Sequence, residues 1–108
     1  MKRYELEYND APLATVMIDE EKAAGPIKEM VEFWSSSEED LKEHRGDYTR
    51  AFLARLAGYI ARHGGPPEEG EEGWYPLDGN GAELYGIQVT AWSEIEADMT
   101  LLHIREVY

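Results

Sequence analysis

The chain has 108 residues, 43% of them hydrophobic and 11% aromatic, enough for one domain with a single core and not for a second. Its formal net charge is −13, from 23 acidic and 10 basic side chains, which opposes direct binding to nucleic-acid phosphates or to an anionic membrane and favours a basic partner. Without cysteine it has no disulfide framework, thiolate nucleophile or cysteine-held zinc, and no apolar run approaches the roughly 18 residues of a bilayer span.

Met1-Lys2-Arg3 runs straight into strand-like sequence, so the chain is expected to be soluble, unexported and cytoplasmic. From Arg3 to Tyr8 polar and apolar residues alternate, with Tyr4, Leu6 and Tyr8 on one face, as in a half-buried antiparallel strand. Asn9-Asp10-Ala11-Pro12 carries turn chemistry, and Leu13 to Ile18 follows as a second strand with Ala14, Val16 and Ile18 on one face. The two are expected to form a hairpin. Pro26 suits the first position of a helix, and Ile27, Met30, Val31 and Trp34 continue it at i, i+3, i+4 and i+7, with Phe33 widening the face. Ser35-Ser36-Ser37-Glu38-Glu39-Asp40 offers overlapping capping boxes, so a restart is expected there and a short helix over 41–45, ended by Gly46.

Asp47 to His63 is the stretch around which the rest is organised. Tyr48, Phe52, Leu53, Leu56, Tyr59, Ile60 and His63 fall in one apolar sector of a helical wheel, while Ala51, Ala54, Gly58 and Ala61 form a seam of small residues opposite. Asp47 suits the N-cap and Gly64-Gly65 the end. A helix with two committed faces belongs between a sheet and a second helix. Its charged residues after the cap, Arg50, Arg55 and Arg62, are all basic.

Residues 64–73 read Gly-Gly-Pro-Pro-Glu-Glu-Gly-Glu-Glu-Gly, expected as a mobile solvated acidic loop, and the aromatics of Trp74-Tyr75-Pro76-Leu77 are expected to pack on the domain. Leu84 to Trp92 is strand-like, residues 94–98 hold an acidic turn, and Met99 to Val107 is expected as the last strand with Leu102 and Ile104 inward. The expected fold is therefore a single α+β domain over 1–108. A four-stranded antiparallel sheet in the order ββααα-ββ is covered on one face by helices, with Asp47 to His63 against it.

No pattern of residues points to a reaction. Asp78-Gly79-Asn80-Gly81 resembles the opening of a calcium loop, but Ala82 and Val89 stand where the fifth and twelfth ligands belong. Gly79, Gly81 and Gly86 lack the preceding strand, following helix and Lys-Ser or Lys-Thr of a phosphate cradle. His44, His63 and His103 lie far apart on three different elements, and Ser35 to Ser37 are explained by capping. Neither a catalytic residue, a cofactor nor a metal site is expected.

What the sequence does carry is a charge asymmetry. Residues 64–104 contain nine acids and no Lys or Arg: Glu68, Glu69, Glu71, Glu72, Asp78, Glu83, Glu94, Glu96 and Asp98. Together with Trp74 and Trp92, as aromatic anchors, these are the candidate partner-binding residues. The leading expectation is a non-enzymatic acidic protein that occupies a basic, nucleic-acid-handling partner by mimicking a phosphate backbone. Two alternatives stand beside it: a homodimeric structural module paired through Met99 to Tyr108, whose acidity serves solubility, and an enzyme built on a carboxylate or histidine pocket.

Phe33-Trp34, Glu38-Glu39-Asp40-Leu41, Gly46-Asp47 and Gly73-Trp74-Tyr75-Pro76-Leu77-Asp78-Gly79 together resemble a family of small uncharacterised phage and prophage proteins. That resemblance implies an N-terminal hairpin, a helix ending in Phe-Trp and a Gly-Trp segment before the last strands. It supplies no activity or catalytic residue. It implies a setting, that of a small accessory protein of a mobile element, in which an anti-restriction or anti-CRISPR inhibitor, an immunity protein or an antitoxin against a nuclease would be at home.

Overall fold

Two strands begin the chain because side chains alternate. The computed structural model describes residues 2–8, 11–34, 42, 46–67, 74, 77, 83–93 and 102–107. Tyr4, Leu6 and Tyr8 of β1 (Lys2–Tyr8) and Ala14, Val16 and Ile18 of β2 (Ala11–Ile18) are buried on one face, while Arg3, Glu5 and Glu7 lie on the other. The strands pair antiparallel, from Lys2 opposite Ile18 to Tyr8 opposite Ala11. Ala11 and Pro12, expected in the turn, belong to the strand. The ladder shifts between Leu6, opposite Ala14, and Glu7, opposite Pro12, so Leu13 is left over. Proline cannot donate to a ladder and is tolerated at a bulge, which here lets both Leu13 and Ala14 enter the core.

β3 (Ile87–Trp92) adds to β2 and β4 (Leu102–Val107) adds to β1, giving a four-stranded antiparallel sheet of order β3-β2-β1-β4. Leu102 and Ile104 pack against the core as expected; the positions 99–101, expected in the same strand, lie outside the described residues. β3 begins later than the sequence suggested. Glu83 to Tyr85 form a helical turn instead of strand, and Gly86 breaks it with φ 75°. The Gly86 carbonyl accepts from the Asp19 amide at 2.7 Å, tying the start of β3 to the corner where β2 leaves the sheet. A Cβ on Gly86 would sit 2.7 Å from Lys22 Cβ and 2.9 Å from the Asp19 carbonyl oxygen, so only glycine fits.

That corner also sets the start of α1 (Glu20–Phe33). Asp19 is its N-cap, the side chain accepting from the Glu21 amide at 3.2 Å, with Glu20 and Glu21 in the first turn where the helix dipole favours anions. Pro26 is therefore not the first helical residue but lies inside the helix. It leaves the Lys22 carbonyl without its helical donor, and the preceding Gly25, lacking Cβ, relieves the crowding a proline imposes on the residue before it. The Asp19 cap and the burial of Ala23, Ile27, Met30, Val31 and Trp34 outweigh the loss. Phe33, expected on this face, is 70% exposed. One residue's rotation, about 100°, carries it away from Trp34 and the buried stripe.

α2 (Tyr48–His63) is capped as its sequence indicates. Asp47 accepts from the Arg50 amide at 3.1 Å, and Gly64, with φ 77°, closes the last turn by donating to the Ile60 carbonyl at 2.8 Å. Phe52, Leu53, Leu56, Tyr59 and Ile60 are buried, and so are Ala51, Ala57 and Gly58, so the helix is enclosed on both of its sides as expected of a central element. Tyr48 is half-buried and His63 is exposed, which narrows the apolar sector at its two ends. α1 packs along α2, latched by the Tyr48 hydroxyl donating to Glu32 at 3.2 Å. The result is an α+β fold with the helices on one face of the sheet. Its radius of gyration, 12.6 Å, is close to the ~13 Å of a single folded domain of this length. The short helix expected at 41–45 lies outside the described residues except for Lys42, which is helical.

Candidate functional site

Of the eleven side chains singled out for partner binding, three are described. Glu83 is exposed on its helical turn, where its backbone carbonyl accepts from Lys22 Nζ at 3.5 Å. Trp92, at the end of β3, is 49% exposed, with its indole Nε1 lying over Gly65, 3.4 Å from where a Cβ would stand. Trp74 is no surface anchor. It is 2% exposed, with ring centroids 4.6 Å from Trp34, 5.8 Å from Phe52 and 5.9 Å from Tyr59. An aromatic in a glycine- and acid-rich surrounding thus plugs the core between α1 and α2. Leu77 is buried too, and its carbonyl accepts from the Val89 amide at 2.8 Å. Glu68, Glu69, Glu71, Glu72, Asp78, Glu94, Glu96 and Asp98 lie outside the described residues. So do the calcium-like tetrapeptide 78–81, Ser35 to Ser37 and His44. Of the glycine-rich run, Gly64 to Pro67 are described, and Pro67 is buried against the expectation of a fully solvated loop.

Charge divides sharply between the described framework and the rest of the chain. The described residues hold ten acids (Glu5, Glu7, Asp19, Glu20, Glu21, Glu29, Glu32, Asp47, Glu83, Glu106) and nine bases, a net of −1. The remaining thirteen acids and one base, Arg45, carry −12. Most framework cations are also committed. Lys2 Nζ sits 3.0 Å from Glu20 and 2.9 Å from Glu106, and hydrogen bonds to these two carboxylates, Glu106 foremost, hold its pKa well above the usual lysine value. On the outer face of the sheet Arg105 donates to Glu5 and, at 3.0 Å, to Glu7, while Arg3 approaches Glu5 at 3.9 Å. The Glu5 hydrogen bond is the first cause of the raised Arg105 pKa. Lys28 pairs with Glu32 at 3.9 Å.

The arginines of α2 are spent on the fold. Arg50 Nη1 donates to the Ile104 carbonyl at 3.2 Å and its Nε lies 3.7 Å from Asp47. Arg55 stacks over Trp34, 4.8 Å from the ring centroid, and Arg62 is exposed. An anion site built from the three is not assembled. Sequence reasoning missed the Lys2, Glu106 and Tyr4 group because only strand register brings residues 2, 4 and 106 together. Tyr4 lies opposite Glu106, and burial, with the Glu106 charge second, raises its pKa above the ordinary tyrosine value.

Chemical equipment for catalysis is sparse in this framework. An open groove of about 270 Å³ is lined by Lys2, Ile18, Asp19, Glu20 and Glu21, but its one cation is held by carboxylates and it contains no nucleophile. Among the described residues no three histidines or carboxylates gather as metal ligands, and His63 at the end of α2 and His103 on the outer face of β4 stand apart. No helix among the described residues is long and apolar enough to cross a membrane. Compared with known protein families, with curated proteins and with solved structures, the chain matches none.

Proposed function

We propose that this protein acts by binding and not by catalysis, presenting an acidic surface that occupies a basic, nucleic-acid-handling partner. The observation that carries the reading is the charge partition: a framework of net −1 whose cations are largely engaged, and −12 on the remaining segments. Cations held by Glu5, Glu7, Glu20, Glu32, Asp47, Glu106 and the Trp34 ring are not available to neutralise the base-free run 64–104. Closely spaced carboxylates on a small rigid domain offer a cationic groove what a phosphate backbone offers it. In the phage setting implied by the sequence resemblance the partner is a restriction or CRISPR effector; in a bacterial setting it is a nuclease toxin. The protein then works in the cytoplasm, where such partners act.

The experiment is an affinity capture from host lysate at low salt, followed by elution with duplex DNA. The reading expects a nucleic-acid-binding protein that DNA displaces. It also expects affinity to fall by roughly tenfold or more between about 50 and about 200 mM salt. Joint Glu68→Gln, Glu69→Gln, Glu71→Gln and Glu72→Gln substitution should weaken capture with no loss of thermal stability. Capture that is indifferent to salt, DNA and these substitutions contradicts the reading and leaves acidity as a device for solubility.

A further inference from the structure

Open sheets end in unpaired backbone, and both edges of this one are stopped by groups that are not strands. Hydrogen-bond alternation locates the stops. Asp19 donates to Gly86, so in the β2 and β3 ladder the pair Met17 and Gln88 exchanges hydrogen bonds and the pair Val16 and Val89 does not. The Val89 amide therefore points off the sheet, where the Leu77 carbonyl takes it at 2.8 Å. Carried across the sheet, the same alternation turns the Val16 and Tyr4 backbones toward each other, leaving Tyr4 opposite Glu106 and Leu6 opposite Ile104 as non-bonded pairs. The amides and carbonyls of Leu102, Ile104 and Glu106 thus point away from β1, along the free edge of β4. At the middle of that row stands Arg50, its Nη1 3.2 Å from the Ile104 carbonyl and its Nε 3.7 Å from Asp47, the cap of its own helix.

We infer that Arg50 is a removable guard on this edge, and that the strand it keeps out is β4 of a second copy. A second β4 is the fitting occupant because the edge is self-complementary in register: antiparallel pairing about Ile104 sets each Ile104 amide against the other copy's Ile104 carbonyl. It is also the one face where like charge does not forbid approach. β4 carries one arginine and one glutamate, with Arg105 engaged by Glu5 and Glu7 and Glu106 by Lys2, whereas the chain as a whole carries −13. An edge strand that natural proteins leave bare is an invitation to pairing; a planar guanidinium on its central carbonyl withdraws the invitation at one point. This inference is independent of the proposed partner binding, since no acid of the run 64–104 enters it.

The test is sedimentation of the full chain beside two variants. Arg50→Met keeps the aliphatic stem and removes the donors; Arg50→Lys keeps a donor. The natural chain and Arg50→Lys are expected to sediment at the 12.3 kDa of one copy, and Arg50→Met to approach twice that mass as concentration rises. In the dimer the amides of Leu102, Ile104 and Glu106 should become protected from hydrogen exchange by tenfold or more. A folded Arg50→Met that stays monomeric overturns the inference, as does a natural chain already paired through these three amides. A measurement that needs no variant guards against misfolding: slowly exchanging Arg50 guanidinium resonances with nuclear Overhauser contacts to Ile104 and Arg105 are expected in the natural chain, and their absence overturns the inference as well.

Discussion

Gly86 is the residue on which the corner between β2, α1 and β3 closes. Its φ of 75° already disfavours any side chain, and a Cβ would meet backbone, not merely a flexible tip. Gly86→Ala is expected to cost at least about 2 kcal/mol, read as a lower urea midpoint with unchanged slope. Gly46 provides the contrast, with φ 80° but open space around its missing Cβ, so Gly46→Ala should cost only about 1 kcal/mol. Trp74 has the opposite role, filling space in place of leaving it. Trp74→Ala is expected to cost about 3–5 kcal/mol, because Trp34, Phe52 and Tyr59 would line the cavity left behind. An equilibrium denaturation curve checks it.

Helix α1 shows how an element tolerates a residue that opposes it. Pro26 removes one hydrogen bond inside the helix, and the Asp19 cap and the buried stripe from Ala23 to Trp34 hold the helix around it. Pro26→Ala should stabilise the protein, by about 1–3 kcal/mol, visible as a raised thermal midpoint. Elements governed by local rules were legible in the chain: alternation marked β1 and β2, and the caps Asp47 and Gly64 bracketed α2. What misled was a residue with two meanings. Proline marks both a first helical turn and a break that packing can override, and Leu84-Tyr85 looks like strand until the positive φ of Gly86 is seen to need a turn before it. The strand order, the burial of Trp74 and the pairing of Lys2 with Glu106 depend on contacts between residues up to about a hundred positions apart, and no local pattern records those. The candidate site was legible as composition alone; of its described members, Trp74 proved to be core.

Over the whole molecule, electrostatics sets both the pH response and the proposed function. Tyr4 and Lys2 both titrate above their ordinary values in the folded state, Tyr4 through burial and then the Glu106 charge, Lys2 through its two carboxylate partners. A raised folded pKa gives stability that is fully present below the unfolded value and is lost as pH rises through the folded one. Stability should therefore fall from about pH 10 upward, where unfolded tyrosine and lysine begin to lose protons. Tyr4→Phe should make that decline shallower, as followed by denaturant titration across alkaline pH. At neutral pH the dominant fact is the separation of a balanced framework from −12 of charge elsewhere in the chain. The most direct measurement of its purpose is competition at low salt between this protein and duplex DNA for the partner it captures. The account predicts mutually exclusive binding that weakens steeply with salt; a partner that binds both at once, or binds this protein equally well in high salt, contradicts it.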